Sequence, residues 1–361
     1  MTRTATLLPG QRLRARGAES NRTGRFEATD REAFDDGWDL PEEDRLVATE
    51  VRLERPRSAL TFNRSPDVPF DRSINPYRGC EHGCIYCFAR PTHAFLNLSP
   101  GLDFETRLIA RPGIAEVLET ELRRPSYKVG PVAIGTNTDP YQPIEREHGL
   151  MRQVLQVLSD FRHPVWITTR GTTIERDIDL IAAMAAEGLA SVSISVTTLD
   201  EGLARKMEPR APAPKRRLQM IRRLAEAGVP VRVQVSPLIP ALTDHELEAV
   251  MEAGRDAGAR ASNTIPLRLP LEVSGLFRDW LAATVPDRAE RVMGRVRELH
   301  GGRDYDPEWG KRMRGEGPWA DLIHLRASVA RKRLVLDETL PALRTDLFAP
   351  PPRAGDQLTL F

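Results

Sequence analysis

The chain's three cysteines, Cys80, Cys84 and Cys87, fall within eight of its 361 residues. The segment reads Asn75-Pro-Tyr-Arg-Gly-Cys80-Glu-His-Gly-Cys84-Ile-Tyr-Cys87-Phe-Ala-Arg, a C-x3-C-x2-C spacing. An odd, tight group makes no disulfide framework, and in a reducing compartment such a group binds metal. Three thiolates on one glycine-containing loop can wrap one face of a cubane iron–sulfur cluster. Four irons need four ligands, so with three thiolates one iron stays open to a ligand from outside. The alternative is zinc, with His82 or His93 as fourth ligand. Zinc sites usually bring two paired C-x2-C knuckles, and no second pair exists here.

The cysteine segment resembles the radical S-adenosylmethionine (radical SAM) superfamily. There the same spacing follows the first barrel strand, and an aromatic residue, here Tyr86, precedes the third cysteine. The resemblance implies a [4Fe–4S] cluster on Cys80, Cys84 and Cys87, with S-adenosylmethionine chelating the open iron. It further implies that one electron, from an external donor, splits the sulfonium. The resulting 5′-deoxyadenosyl radical abstracts hydrogen from a substrate, while the protein orients the cofactor and excludes water.

The resemblance covers roughly residues 58–270 and supplies a cofactor shell. Gly135-Thr-Asn-Thr-Asp-Pro-Tyr-Gln-Pro-Ile-Glu145 stands where the family often has a Gly-Gly-Glu-like segment. It departs from that form and looks like the spore-photoproduct-lyase-like, "DNA repair photolyase" branch. Thr136, Thr138 and Asp139 offer acceptors there, although Asp139-Pro140 also suits a plain turn. Arg170, after the third strand, is expected to pair with the methionine carboxylate, a partner that suits a guanidinium. On the fourth strand Ser191, Ser193, Ser195 and Thr197 share one face. Ser195 and Thr197, at its end, are assigned to the cofactor. Glu208 and Arg210 follow at the rim. Gln234 and Ser236 of the fifth strand are placed against the adenine.

The elements that must position these residues are legible as period. Runs at 71–76, 131–135, 164–168, 190–196, 230–236 and 263–267 read as strands, and amphipathic stretches at 112–124, 145–160, 175–187, 214–227 and 243–257 as helices. Gly188, Gly228 and Gly258 stand where left-handed residues end helices. The expected fold is α/β: a partial (β/α)6 TIM-type barrel, with chemistry at the C-terminal ends of its strands. The expected organisation is an extended, partly disordered arm at 1–57, the core barrel at 58–286, a helical extension at 287–345 and a flexible tail at 346–361.

The 52 Lys+Arg and 51 Asp+Glu nearly cancel, so bulk charge gives no reason to invoke nucleic acid. Basic segments are local, as at Lys311-Arg-Met-Arg314, flanked by Trp309 and Trp319. Phosphate contacts and stacking there would suit a nucleic acid. The substrate implied by the resemblance is a nucleic acid, in DNA repair or modification; a peptide or small metabolite is the alternative, and a non-catalytic metal-binding adaptor a third reading. A repair cycle needs a hydrogen donor, and all three thiols are committed to the cluster. Tyr141 could donate instead, or could simply pack its ring over the loop. Gln357, Leu358, Leu360 and Phe361 close the chain after a Pro/Gly-rich linker and resemble the bacterial sliding-clamp-binding pentapeptide. They could anchor in a groove of the clamp, or Leu358, Leu360 and Phe361 could pack on the enzyme's own barrel. No apolar run reaches the ~18 residues of a membrane span. The first residues carry no run long enough for a signal peptide, and the expected location is the cytoplasm.

Overall fold

In a computed structural model that describes residues 16–18, 20–27 and 47–352, the β-branched runs assemble into one seven-stranded sheet. The strands of the described residues are β1 (Glu50–Leu53), β2 (Leu60–Phe62), β3 (Arg72–Ile74), β4 (Tyr77–Arg78), β5 (Arg107–Ala110), β6 (Val132–Ile134), β7 (Val165–Thr169), β8 (Ala190–Ser195), β9 (Val231–Leu238) and β10 (Ala261–Pro266). The sheet order is β10-β9-β8-β7-β6-β3-β2. From β3 to β10 neighbours are parallel and follow chain order, as a partial (β/α)6 arrangement requires. The expected α/β class is the observed one.

All six expected strands form, shortened or shifted by a few residues at their ends. Their buried faces are β-branched: Val132, Ile134, Val165, Ile167, Val192, Ile194, Val231 and Val233 are at most 1% exposed. The intervening helices cover them with Leu118, Val154, Leu158, Ile181, Met184, Ile221, Leu224 and Met251 in the same apolar cluster. Sidedness of this kind is what parallel strands with crossover helices demand. Gly188, Gly228 and Gly258 all have positive φ, as expected for helix ends.

Several elements differ from the expectation. The stretch 145–160 is two helices, Glu145–His148 and Leu150–Asp160, because Gly149 adopts φ +60° between them. Strand β2 pairs antiparallel with β3 and was not legible as a strand. Residues 50–53, placed in the arm, form β1 of a second sheet, ordered β1-β5-β4. The boundary at 287 falls inside the first turn of helix Pro286–Leu299, which shares one apolar cluster with helix Glu272–Thr284 and with Ile85 and Tyr86 of the cysteine loop. Helix Gly317–Leu334 places Ile323, Ala327 and Ala330 in the main core. The extension is therefore packed on both the loop and the sheet.

Candidate functional site

The cysteine loop follows β4 and is held by its backbone. Gly79 and Gly83 have φ +78° and +68°, a region that glycine enters freely. At Gly79 a Cβ would also strike Phe104 O at 2.8 Å. Arg90 is fully buried and donates to Cys84 O at 2.9 Å, Gly83 O at 3.3 Å and Gly101 O at 2.9 Å. Its charge is met by Glu105, also fully buried, at 2.5 Å. Glu105 in turn accepts the amides of Gly17 and Ala18, both at 2.8 Å. The N-terminal segment thus straps the loop, so closely that a Cβ on Gly17 would lie 1.7 Å from Gly83 O.

The segment after β6 supplies the other clamp. Gln142 accepts the Glu81 amide at 2.8 Å and donates to Gly79 O at 3.2 Å. Thr138 donates to Gly79 O at 2.5 Å. Thr136 exchanges hydrogen bonds with Asn75, at 3.2 and 3.3 Å. Asp139 accepts from Thr169 Oγ1 at 2.5 Å and from the Arg170 amide at 2.9 Å. His82 Nδ1 lies 3.3 Å from Asp139 Oδ2, without hydrogen-bond alignment. Burial alone would raise the Asp139 carboxyl. The His82 ring and the donated hydrogen bonds outweigh it and hold the carboxyl at about 2. Thr138 therefore spends its donor on the loop and accepts from Gln142, while Asp139 spends its acceptors on Thr169 and Arg170.

Arg170 follows β7 and reaches the thiols. Its Nη1 lies 3.2 Å from Cys84 Sγ, 2.6 Å from the Tyr86 hydroxyl and 2.6 Å from Glu208 Oε1. Glu208 is almost fully buried and also takes Arg217, Tyr86 and, at 2.9 Å, Thr197 Oγ1. Burial pushes Glu208 up, but the Arg217 and Arg170 guanidinia pull it down to about 2. Tyr86, Thr197 and Arg170, assigned separately to the cofactor, are thus one network around Glu208. Arg210 does not pair with Glu208; it bonds Glu81 at 2.7 Å and so braces the loop.

Ser195 lies at the end of β8, 4% exposed, with its carbonyl bonded to Arg217. Gln234 and Ser236 are half-buried on β9, between buried Val233, Val235 and Leu238. Tyr141 is not brought to the thiols: it packs in the main core with its hydroxyl on Asp177 at 3.1 Å. Residues 357–361 lie outside the described residues. A surface cavity of about 410 Å³, lined by Asp200, Leu203, Lys206, Leu242 and Val285, contains none of these side chains.

The loop fits an iron–sulfur cluster by its donor chemistry. Cys80 and Cys84 are buried, Cys87 half-buried, and none is in a disulfide. Burial pushes the Cys84 thiol up to about 12 against the pull of Arg170. Burial also raises Cys80, with charge on Asp139, Cys84 and Cys87 adding to it. Bound metal reverses this, because a coordinating thiol loses its proton outright. Of the two zinc candidates, His82 faces Asp139, and His93 gives Nε2 to the Arg107 carbonyl at 3.0 Å. Among the described residues no three His, Cys, Asp or Glu side chains close on a single ion. A cubane asks for something else, since each thiolate takes a different iron.

Sequence reasoning did not find Arg90, Glu105 or Gln142. Gln142 stood inside the quoted motif, but nothing in its type marked it. Arg90 is one of 47 arginines; only its distance from any solvent sets it apart.

Comparison with known proteins agrees with this geometry. The Radical SAM superfamily model matches residues 74–254. An uncharacterized protein of Mycobacterium tuberculosis is 40% identical over 256 residues, 70% of this chain and 74% of the relative. An uncharacterized protein of Acidianus two-tailed virus is 29% identical over 197 residues, 52% of this chain and 64% of the relative. A spore photoproduct lyase point mutant shares the fold, with TM-score 0.58 at 14% identity and 79% of both chains covered. A double mutant of that lyase with bound AdoMet and dinucleoside spore photoproduct has TM-score 0.57 at 14% identity, again over 79% of both chains. On the match over residues 74–254 and the three thiols of its loop, the chain belongs to the radical SAM superfamily, enzymes that work with a [4Fe–4S] cluster and S-adenosylmethionine.

Proposed function

We propose that this enzyme directs its radical chemistry at a nucleic acid, DNA above all, in repair or base modification. When bound, the cluster and S-adenosylmethionine supply one-electron cleavage of the sulfonium and a 5′-deoxyadenosyl radical able to abstract hydrogen. Cys80, Cys84 and Cys87 hold the cluster. Arg170, steadied by Glu208 and Tyr86, donates toward Cys84 and carries the positive charge that suits the methionine carboxylate. Gln234 and Ser236 leave polar groups on β9 for the base.

One observation carries the choice of substrate. The Gly-, Arg- and aromatic-rich segment 301–316 is tied to the mouth of the cysteine loop. Met313 Sδ is 2.9 Å from Arg268, and Arg268 stacks on Phe88, the residue after Cys87. Arg312 and the Gly310 amide both bond Asp67. Phe88, beside Cys87, is 44% exposed, and Trp309 of the tied segment is 59% exposed, so two aromatic surfaces stand free in segments that meet at Arg268, one of them carrying Lys311 and Arg312. Stacking surfaces beside cations are how single-stranded nucleic acid is held. The bound dinucleoside photoproduct in a protein of like fold supports the same reading.

The test begins with anaerobic reconstitution, reductant and S-adenosylmethionine. 5′-Deoxyadenosine is expected from the wild type and none from Cys84→Ala, which also loses the brown colour. Oligonucleotides with and without photolesions, a peptide library and small metabolites are then compared for faster cofactor cleavage. Stimulation by peptides alone would overturn the nucleic-acid reading.

A further inference from the structure

We infer that Arg268 is the receptor for a backbone phosphate of the substrate, placed so that the adjoining nucleotide lies against Phe88 at the cluster mouth. The inference rests on the nucleic-acid reading above and deepens it. Arg268 follows β10 at the C-terminal end of the sheet, where the enzyme's chemistry is gathered. Its guanidinium carbon sits 4.3 Å from the centroid of the Phe88 ring. Its only hydrogen-bond partner among the described residues is the thioether of Met313, a weak acceptor.

Arg268 lacks a paired carboxylate, as the partly buried Arg111 and Arg232 also do, but it is the one of the three that stacks on Phe88 beside the cysteine loop. No acid among the described residues forms an ion pair with it, although it is partly buried. The acid whose charge reaches it, and those of the 301–316 segment tied to it through Met313, are taken. Asp67 pairs with Arg312. Asp304 pairs with Arg297 and Arg278. Glu308 and Glu316 both pair with Lys311. Burial disfavours the charge on Arg268 and Arg312 opposes it, while Tyr305, Cys87 and Asp67 favour it from a distance without pairing with it. A partly desolvated guanidinium without a counter-ion is costly. It becomes favourable once an anion arrives with oxygens for its planar fork, and a phosphodiester offers that.

The geometry also says what the rest of the nucleotide does. Phe88 has Arg268 against its ring, yet remains 44% exposed, so ring surface is left for a base or sugar. Phosphate on Arg268 and base on Phe88 would be adjoining contacts, one residue along the chain from Cys87. The cofactor's own carboxylate is the competing anion, and it is assigned to Arg170, on the Cys84 side of the loop.

The experiment uses the reconstituted holoenzyme and a fluorescein-labelled twelve-residue oligothymidylate. Affinity is read by anisotropy across a salt series, and S-adenosylmethionine affinity by calorimetry. Arg268→Gln is expected to bind the oligonucleotide about tenfold more weakly, with the salt slope shallower by about 0.7 for one lost single-strand phosphate contact. Its S-adenosylmethionine affinity stays within twofold of wild type. Arg268→Lys keeps the charge and restores the slope, which separates phosphate binding from misfolding. An Arg268→Gln slope equal to wild type overturns the inference while leaving the nucleic-acid reading intact. Loss of S-adenosylmethionine binding in that variant reassigns Arg268 to the cofactor. No oligonucleotide binding by wild type sinks the reading and the inference together.

Discussion

Glu208 holds together the residues that the cofactor assignment listed one by one. Its two oxygens face Arg170 and Arg217, with Tyr86 and Thr197 beside them, and of the five all but Arg170 are buried. Removing one partner of a buried ion pair costs about 3–5 kcal/mol, because the remaining charge is stranded. Glu208→Gln keeps the shape and loses the charge, stranding two guanidinia. Chemical denaturation is expected to show a loss of that order, and Arg170 is freed from its place at Cys84. A loss below about 1 kcal/mol would mean the guanidinia find other partners. The sequence put Tyr86, Arg170 and Thr197 at the site through strand order and resemblance. It did not show that they meet, because contacts between residues 86, 170 and 208 exist only once four strands are side by side.

At the scale of elements, strand ends decide where the site can be. Gly135 ends β6 with φ +95°, and a Cβ there would stand 2.0 Å from the Thr168 carbonyl oxygen of β7. Both the dihedral and the contact oppose any side chain. Gly135→Ala is expected to cost more than about 2 kcal/mol, since strained backbone and displaced neighbours add. It should also displace Thr138 and Asp139, which grip the loop and β7. Reconstituted iron content reads that second effect. Unchanged stability and full cluster loading together would refute the close packing of these two strand ends. The helices were legible from their period, whereas β2 was not: three residues with two exposed carry no alternation to read.

For the whole molecule, three buried groups give acid sensitivity of one sign. Asp139 and Glu208 are held at about 2, so their stabilisation is full above their unfolded values, 3.8 and 4.5. It is lost as pH falls from those values toward 2. His163, buried against Tyr127, is pushed down to about 4 by burial. Its folded form stays neutral while the unfolded chain takes a proton, so stability falls from about pH 6.5 toward 4. The urea midpoint is expected to drop on acidification from pH 7 to 3. His163→Gln should flatten the limb between 6.5 and 4; an unchanged limb there would show that His163 already charges in the fold. The tail is a separate matter of assembly. Deleting residues 357–361 is expected to abolish binding to purified bacterial sliding clamp, and retained binding removes that proposal.

The sequence by itself determined the chemistry and the class of fold. Cysteine spacing and hydrophobic period are local properties, written within eight residues for the one and within each strand or helix for the other. The tertiary structure decided which charges are spent and which are free. Arg90 and Arg268 look alike in the sequence. One is buried against Glu105, fifteen residues away, as a strut for the cysteine loop. The other stands beside Phe88, and among the described residues no carboxylate forms an ion pair with it. Pairing depends on distances in space, and distance in space is what the chain does not state until it has folded.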